Sequence, residues 1–296
     1  MAGVLLQLSA LMIFVVMDTM LKLMTAEFPV LQIIWARFIF STVTVAIALR
    51  IAMGRFPWRS RAPGLQALRS LLLGACSLLF TASVARIPLA DATAVGFASP
   101  LITVALAALL LGEWVSLRRW FGVALGFIGV LVAVRPPFLT GAPLDWAYLL
   151  PLGTATMFAF YQILTRRLAA LDDSRVTIFH TGLAAALATS LAQPFVFIAP
   201  GAVEWSVLIA IGMLGALSHG LLVLAYARAP ASLLAPLSYT QLIWASCAGI
   251  LVFGDWPDGI TLLGAVIIAA GGVLTALPQR PPQGPARPET HTGHAT

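Results

Sequence analysis

Residues 85–129 read ARIPLADATAVGFASPLITVALAALLLGEWVSLRRWFGVALGFIG, and residues 227–271 read ARAPASLLAPLSYTQLIWASCAGILVFGDWPDGITLLGAVIIAAG. The second stretch is a diverged copy of the first, displaced by 142 residues. Ala85-Arg86-Ile87-Pro88 returns as Ala227-Arg228-Ala229-Pro230, and Gly112-Glu113-Trp114 returns as Gly254-Asp255-Trp256. Gly122 and Gly129 return as Gly264 and Gly271. Each copy carries an apolar run long enough to cross a membrane. Fixed-offset similarity between apolar halves marks a chain built from two like units, with the ligand site expected between them.

Composition excludes an ordinary soluble protein. Of the residues, 60% are hydrophobic and 9% are charged, against about 25% charged in soluble domains. Ten apolar runs of roughly the length that spans a ~30 Å hydrocarbon core fall near 4–24, 29–49, 66–84, 91–111, 120–134, 146–164, 175–196, 205–226, 231–253 and 260–276. The expected fold is therefore an all-α membrane protein of ten transmembrane helices. The N-terminus lacks the positive region of a secretory signal, so the first run is expected to be a retained span. Residues 278–296, rich in Pro, Gly and polar groups, are expected to be disordered.

A net charge of +6 invites a nucleic-acid reading, but its placement argues against one. Arg50, Arg55, Arg59, Arg61 and Arg69 lie between runs two and three or at the start of three. Arg118 and Arg119, Arg166, Arg167 and Arg175, then Arg228, Arg280 and Arg287 occupy the other loops of the same set and the tail. The alternate loops hold only Arg86 and Arg135, with Lys22 near their edge. Basic residues mark cytoplasmic loops, so both termini are expected in the cytoplasm. Five spans per half then force the second half to enter from the opposite side, giving two inverted five-helix repeats over 1–138 and 139–277.

The ten spans, the Gly-Glu/Asp-Trp closing spans four and nine, and the glycine-spaced spans five and ten resemble the drug/metabolite transporter superfamily with two EamA-type repeats. Phe14–Lys22, Pro29-Val30-Leu31-Gln32 and Trp35-Ala36-Arg37 resemble the branch that includes bacterial transporters of riboflavin and other small metabolites. The resemblance covers about residues 1–277. It implies secondary transport by alternating access. It leaves the substrate open, because such proteins carry amino acids, vitamins, nucleotide-like molecules and drugs.

The candidate substrate-binding residues are Asp18, Trp35, Arg37, Tyr161, Gln162, His180, His219 and Tyr239. Arg37 is expected two or three residues from the centre of its span, where an arginine costs about 2.5–3.5 kcal/mol on insertion scales. It needs either a substrate anion or a structural ion pair with Asp18. Asp18 and Lys22 share a helix face, so an intrahelical pair competes with a proton-accepting or charge-balancing role for Asp18. In the repeat, Gln162 falls opposite Asp18 with Tyr161 beside it, and Arg166 falls opposite Lys22. His180 takes the place of Arg37, and His219 lies near mid-span; each is either a proton relay or a neutral helix contact. Trp35, Tyr239 and Trp244 are either a stacking wall for a planar ligand or lipid-phase packing. Trp35 and Tyr239 with the central arginine lean the reading toward a planar or aromatic molecule such as riboflavin.

The chain lacks GxSxG, HExxH, CxxC and P-loop patterns, so an enzyme, a bound metal and a cofactor have no support. The expected partners are a small-molecule substrate and the lipid bilayer, without nucleic acid. Gly122, Gly126 and Gly129 allow close helix approach, within the monomer or across a homodimer. All but one of the 17 basic residues are arginine, which hints at a GC-rich bacterium and hence a bacterial inner membrane.

Overall fold

The computed structural model describes residues 2–111, 115–134, 145–168, 170–226, 228 and 235–277. The first copy of the Gly-acid-Trp motif, Arg135, Pro230, the Arg166 side chain and the tail 278–296 lie outside the described residues. Among the described residues all regular structure is helical. The helices are α1 (Ala2–Met24), α2 (Val30–Met53), α3 (Pro63–Val84), α4 (Leu89–Gly96), α5 (Ser99–Leu111) and α6 (Leu117–Val134), followed by α7 (Leu149–Leu168). Then come α8 (Ser174–His180), α9 (Leu183–Ser190), α10 (Gln193–Val196), α11 (Ala202–Tyr226), α12 (Thr240–Ala248) and α13 (Gly259–Ala276). A 3-10 turn at Ala235–Tyr239 precedes α12 and a π turn at Gly249–Phe253 follows it.

Six described stretches are long and apolar enough to cross a membrane: Ala2–Met24, Val30–Met53, Pro63–Val84, Leu89–Leu106, Trp146–Thr165 and Ala202–Leu222. Leu237–Phe253 and Gly259–Leu274 are apolar but shorter. Among the described residues, the ten expected spans are represented by six clear ones and several shorter or broken helices. The expected seventh span is divided into α8, α9 and α10. One break falls at Gly182, where a Cβ would stand 2.9 Å from Thr42 Oγ1 and 3.1 Å from Phe38 Cδ1. Glycine is required there because α2 passes directly alongside.

The main helix contacts follow a pattern that survives exchange of the two halves. α1 packs on α11, and α7 packs on α3. α2 packs on α11, and α9 packs on α3. α1 meets α12, and α7 meets α4 and α5. The most extensive pairing, α6 with α13, maps onto itself. Glycine makes that last pairing possible: a Cβ on Gly271 would lie 2.6 Å from Gly122 O and Gly126 N, and one on Gly129 would lie 2.7 Å from Ile268 N. The small-residue face of α6 is therefore filled by α13 of the same chain, and the backbones touch as small residues in lipid permit.

Candidate functional site

α1 and α2 bring two charges into the bundle from the same end. Asp18 lies six residues before the end of α1, and Arg37 lies seven residues after the start of α2. Because α2 continues to Met53, Arg37 sits about 7 Å from its midpoint at ~1.5 Å per residue, further out than the shorter apolar run implied. Both are buried, 7% and 8% exposed. Neither forms a hydrogen bond or an ion pair within 4.0 Å among the described residues. The two do sense each other electrostatically. The Arg37 charge also reaches Cys76 on α3 and His219 on α11.

A glycine lets α11 come close to this centre. A Cβ on Gly215 of α11 would contact Met17 Sδ at 3.4 Å and Arg37 Nε at 3.9 Å, so α11 passes beside the guanidinium with only a glycine between. His219, one turn along α11, meets the Phe14 ring edge-on at 5.0 Å. The centre therefore lies where α1 and α2 of the first half meet α11 of the second.

Both expected structural pairings of Asp18 are absent among the described residues. Lys22 pairs not with Asp18 but with Asp255, at 2.8 Å. Its ammonium also donates to Ile87 O at 3.4 Å and stands 4.5 Å from the Phe253 ring centroid. Gly254 explains the geometry: its φ of 71°, like the 69° of Gly54, lies in the left-handed region that glycine enters without strain. The chain thereby turns at the end of the π turn and presents Asp255 to α1. One lysine thus ties α1 to the 85–88 and 254–258 turns.

The opposite end is closed by a second network. Arg69 on α3 is buried and makes four hydrogen bonds: Nε donates to Thr165 Oγ1 at 2.7 Å, Nη1 to Thr177 O at 3.2 Å, and Nη2 to Tyr161 Oη at 2.8 Å and Thr181 Oγ1 at 3.2 Å. Asp172 accepts from Ser60 Oγ, from the Arg61 backbone N–H at 2.8 Å and from Gln66 Nε2 at 2.9 Å. Its partial burial acts to raise its carboxyl pKa, but these hydrogen bonds outweigh that and hold it below the usual carboxylate range. A surface cleft of about 350 Å³ lies here, lined by Arg59, Arg61, Asp172, Asp173 and Val176. A second, apolar cleft of about 460 Å³ runs between α2 and α11 along Phe40, Ile47 and Met213. Neither is lined by Asp18 or Arg37.

Of the eight candidate residues, Asp18, Arg37 and His219 come together. Trp35 turns to the other side of α2, donating to Ser190 Oγ at 2.9 Å and meeting Phe197 and Trp205 edge-on. Tyr161 serves Arg69 and stacks on Phe158 at 5.5 Å. Gln162 is half-buried on α7 with no hydrogen bond among the described residues. His180 ends α8, its Nδ1 2.9 Å from Val176 O, and its charge is felt at Asp172 rather than at Arg37. Tyr239 packs on Phe97 at 5.1 Å and lies over Gly272. Sequence reasoning missed the burial of Arg69 and the place of Cys76. Pro63, at the first turn of α3, is the signal for the former: it moves the helix start outward and Arg69 into the span.

The family model described as the EamA-like transporter family matches residues 1–135 and again 145–277. An S-adenosylmethionine uptake transporter of Rickettsia bellii is 28% identical over 253 residues, 85% of each chain. The pseudopaline exporter CntI of Pseudomonas aeruginosa is 29% identical over 272 residues, 90% of this chain and 93% of its own. A riboflavin transporter of Vibrio cholerae is 32% identical over 183 residues, 62% of this chain and 60% of its own. A solved crystal structure at 20% identity superposes with a TM-score of 0.62, covering 92% of this chain and 95% of that one. At that identity the likeness is one of fold alone.

Proposed function

The chain belongs to the EamA-like transporter family, and from that premise we propose that it is a secondary transporter of a small organic metabolite, working by alternating access about the Asp18–Arg37 centre. Residues 1–138 and 139–277 act as the two inverted repeats. The segments that carry Arg55, Arg59 and Arg61, and Arg166, Arg167 and Arg175, face the cytoplasm, as the bias of basic residues predicts, and Lys22 and Asp255 face outward.

The carrying observation is that Asp18 and Arg37 stand buried where the halves meet, with no ion pair or hydrogen bond among the described residues. Charged groups at depth are expensive and mark substrate or ion pathways. Ion binding in such proteins falls near the bilayer midplane between repeats. The two end networks fit a cycle. Breaking Lys22–Asp255 opens the centre outward. Parting Asp172 from Ser60, Arg61 and Gln66, with Arg69 from α7 and α8, opens it inward. His219 and Cys76 complete the lining.

Relatives named for S-adenosylmethionine uptake, riboflavin transport and pseudopaline export support a small organic cargo in either direction. The planar, riboflavin-like reading rests on Trp35 and Tyr239, yet both aromatics are engaged in packing away from Arg37. It is kept as the second reading because riboflavin transporters stand among the relatives. Uptake into proteoliposomes decides between them, with labelled S-adenosylmethionine, riboflavin, tryptophan and a nucleoside offered with and without a proton gradient. Saturable uptake of one compound supports transport and names its class. Flux that rises without saturation for every compound contradicts it.

A further inference from the structure

We propose that the loop 54–62, between α2 and α3, is a binding site for the phosphate headgroup of an anionic phospholipid. Such a site goes beyond the transport reading and is independent of it: its chemistry is the same whatever cargo the chain carries.

Uncommitted charge is the first observation. Arg55, Arg59 and Arg61 are exposed, and their guanidiniums form no hydrogen bond or ion pair among the described residues. Their neighbours are engaged: Arg50 folds back onto the Gly54 carbonyl, and Arg69 makes four hydrogen bonds within the bundle. Arg175 adds a further positive charge at the start of α8. The two acids beside this cluster are committed to protein donors. Asp172 accepts from Ser60, the Arg61 N–H and Gln66, and Asp173 caps α8 by accepting from the Arg175 N–H at 2.8 Å. The loop therefore carries a surplus of positive charge with its donors open. A guanidinium takes a phosphate through two parallel N–H···O bonds, and basic pockets at the ends of spans hold lipid headgroups.

Shape is the second observation. The chain leaves α2 through left-handed Gly54, Pro57 restricts the backbone that follows, and Asp172 pins Ser60 and Arg61. The loop so held borders the cleft of about 350 Å³ that Arg59 and Arg61 line. A topology signal needs charge alone; it needs neither a pinned loop nor a cleft. The apolar neighbours name the source of the phosphate. Trp58 is 61% exposed and Phe56 48%, and the Arg59 guanidinium stands 5.3 Å from the Trp58 ring centroid. An exposed tryptophan among cations marks the headgroup level of a bilayer. The exposed side of α2 is apolar down to Ile51, just short of the loop, and the apolar cleft between α2 and α11 runs along it. Cations at headgroup level beside a groove at acyl level fit a phospholipid; a soluble phosphate would leave the apolar part unused.

The test follows thermal melting of the purified full chain in detergent as dioleoyl-phosphatidylglycerol or dioleoyl-phosphatidylcholine is added in mixed micelles. A ligand that binds the folded state raises the melting temperature. Inorganic phosphate and glycerol 3-phosphate are the probes without tails. The expected result is saturable stabilisation by phosphatidylglycerol, half-maximal at a concentration about tenfold or more below that for phosphatidylcholine, and none from the probes without tails. Replacing Arg55, Arg59 and Arg61 together by Gln is expected to abolish the preference while leaving the Arg61 N–H on Asp172, since that donor is backbone. Arg59→Gln alone is the milder variant should the triple one fail to fold; it is expected to raise the half-saturating concentration about fivefold. Arg118→Gln with Arg119→Gln removes charge from another loop of the same set and is expected to leave the preference unchanged. Equal stabilisation by the two lipids overturns the proposal, as does a preference that persists in the triple variant or a half-saturation that Arg59→Gln does not move. Equal loss in the Arg118–Arg119 variant overturns it in favour of diffuse attraction to the whole basic face. Stabilisation by inorganic phosphate to the same extent as by phosphatidylglycerol overturns the lipid as occupant.

Discussion

At the scale of single residues, the decisive fact is what each charge touches. Arg69 and Arg37 are both buried arginines, but one makes four hydrogen bonds and the other none among the described residues. Removing them should have different consequences. Arg69→Ala is expected to destabilise the protein, because it removes four hydrogen bonds and leaves the buried Tyr161 hydroxyl without the donor it has; melting in detergent reads the loss. Arg37→Ala is expected to leave insertion and monodispersity intact while abolishing transport. Trp35→Phe removes one hydrogen bond, to Ser190, worth about 0.6 kcal/mol in a membrane protein, and should transport normally. Asp172 adds a pH signature. Its carboxyl is held below the usual range in the folded state, so its stabilisation is present above the ordinary carboxylate pKa and lost as pH falls through the lowered value. Asp172→Asn should therefore melt earlier than the parent at pH 7, and the gap should close as the pH drops below about 4. A gap independent of pH would contradict this assignment.

At the scale of helices, glycine decides which elements approach. The α6–α13 crossing has backbone against backbone at Gly122, Gly126, Gly129, Gly264 and Gly271. Gly271→Ala must part the two helices and is expected to cost about 1–3 kcal/mol, read by thermal melting. In the sequence, Gly122 and Gly129 recur as Gly264 and Gly271 and mark a close-approach face, but its partner, within the monomer or across a homodimer, is left open there. The apolar runs likewise located α1, α2, α3, α7 and α11. What the sequence did not reveal follows from the same physics. Hydropathy is blind to a break such as that at Gly182, since glycine and its neighbours remain apolar. The Asp18–Lys22 spacing puts both residues on one helix face, yet Lys22 finds its carboxylate in the turn that follows Gly249–Phe253, 233 positions away. Spacing within a helix limits which partners are near; it does not rank them against partners brought by tertiary packing. The same limit applies to Trp35, two positions from Arg37 but on the opposite side of α2.

At the scale of the molecule, the halves interlock rather than sit side by side. α1 and α2 of the first pack on α11 of the second, while α7 and α9 of the second pack on α3 of the first. In the proposed cycle such an exchange gives a route for opening either end in turn, with Lys22–Asp255 proposed as the outward fastening. In a Cys247→Ala background, buried Cys76 should resist a membrane-impermeant thiol reagent applied outside. Asp255→Asn should raise its labelling, and the exchanged pair Lys22→Asp with Asp255→Lys should restore protection. Unchanged labelling in Asp255→Asn would show that this pair does not hold the outer end closed. The central claim, that the unpaired charges at the junction of the halves are the substrate site, is tested most directly by exchange in proteoliposomes. The measurement compares the parent chain with Arg37→Ala, each shown to be monodisperse and inserted, using the compound that the parent takes up. Saturable exchange by the parent, reduced to the level of empty liposomes by Arg37→Ala, is the predicted result. Exchange that persists unchanged in Arg37→Ala would contradict it.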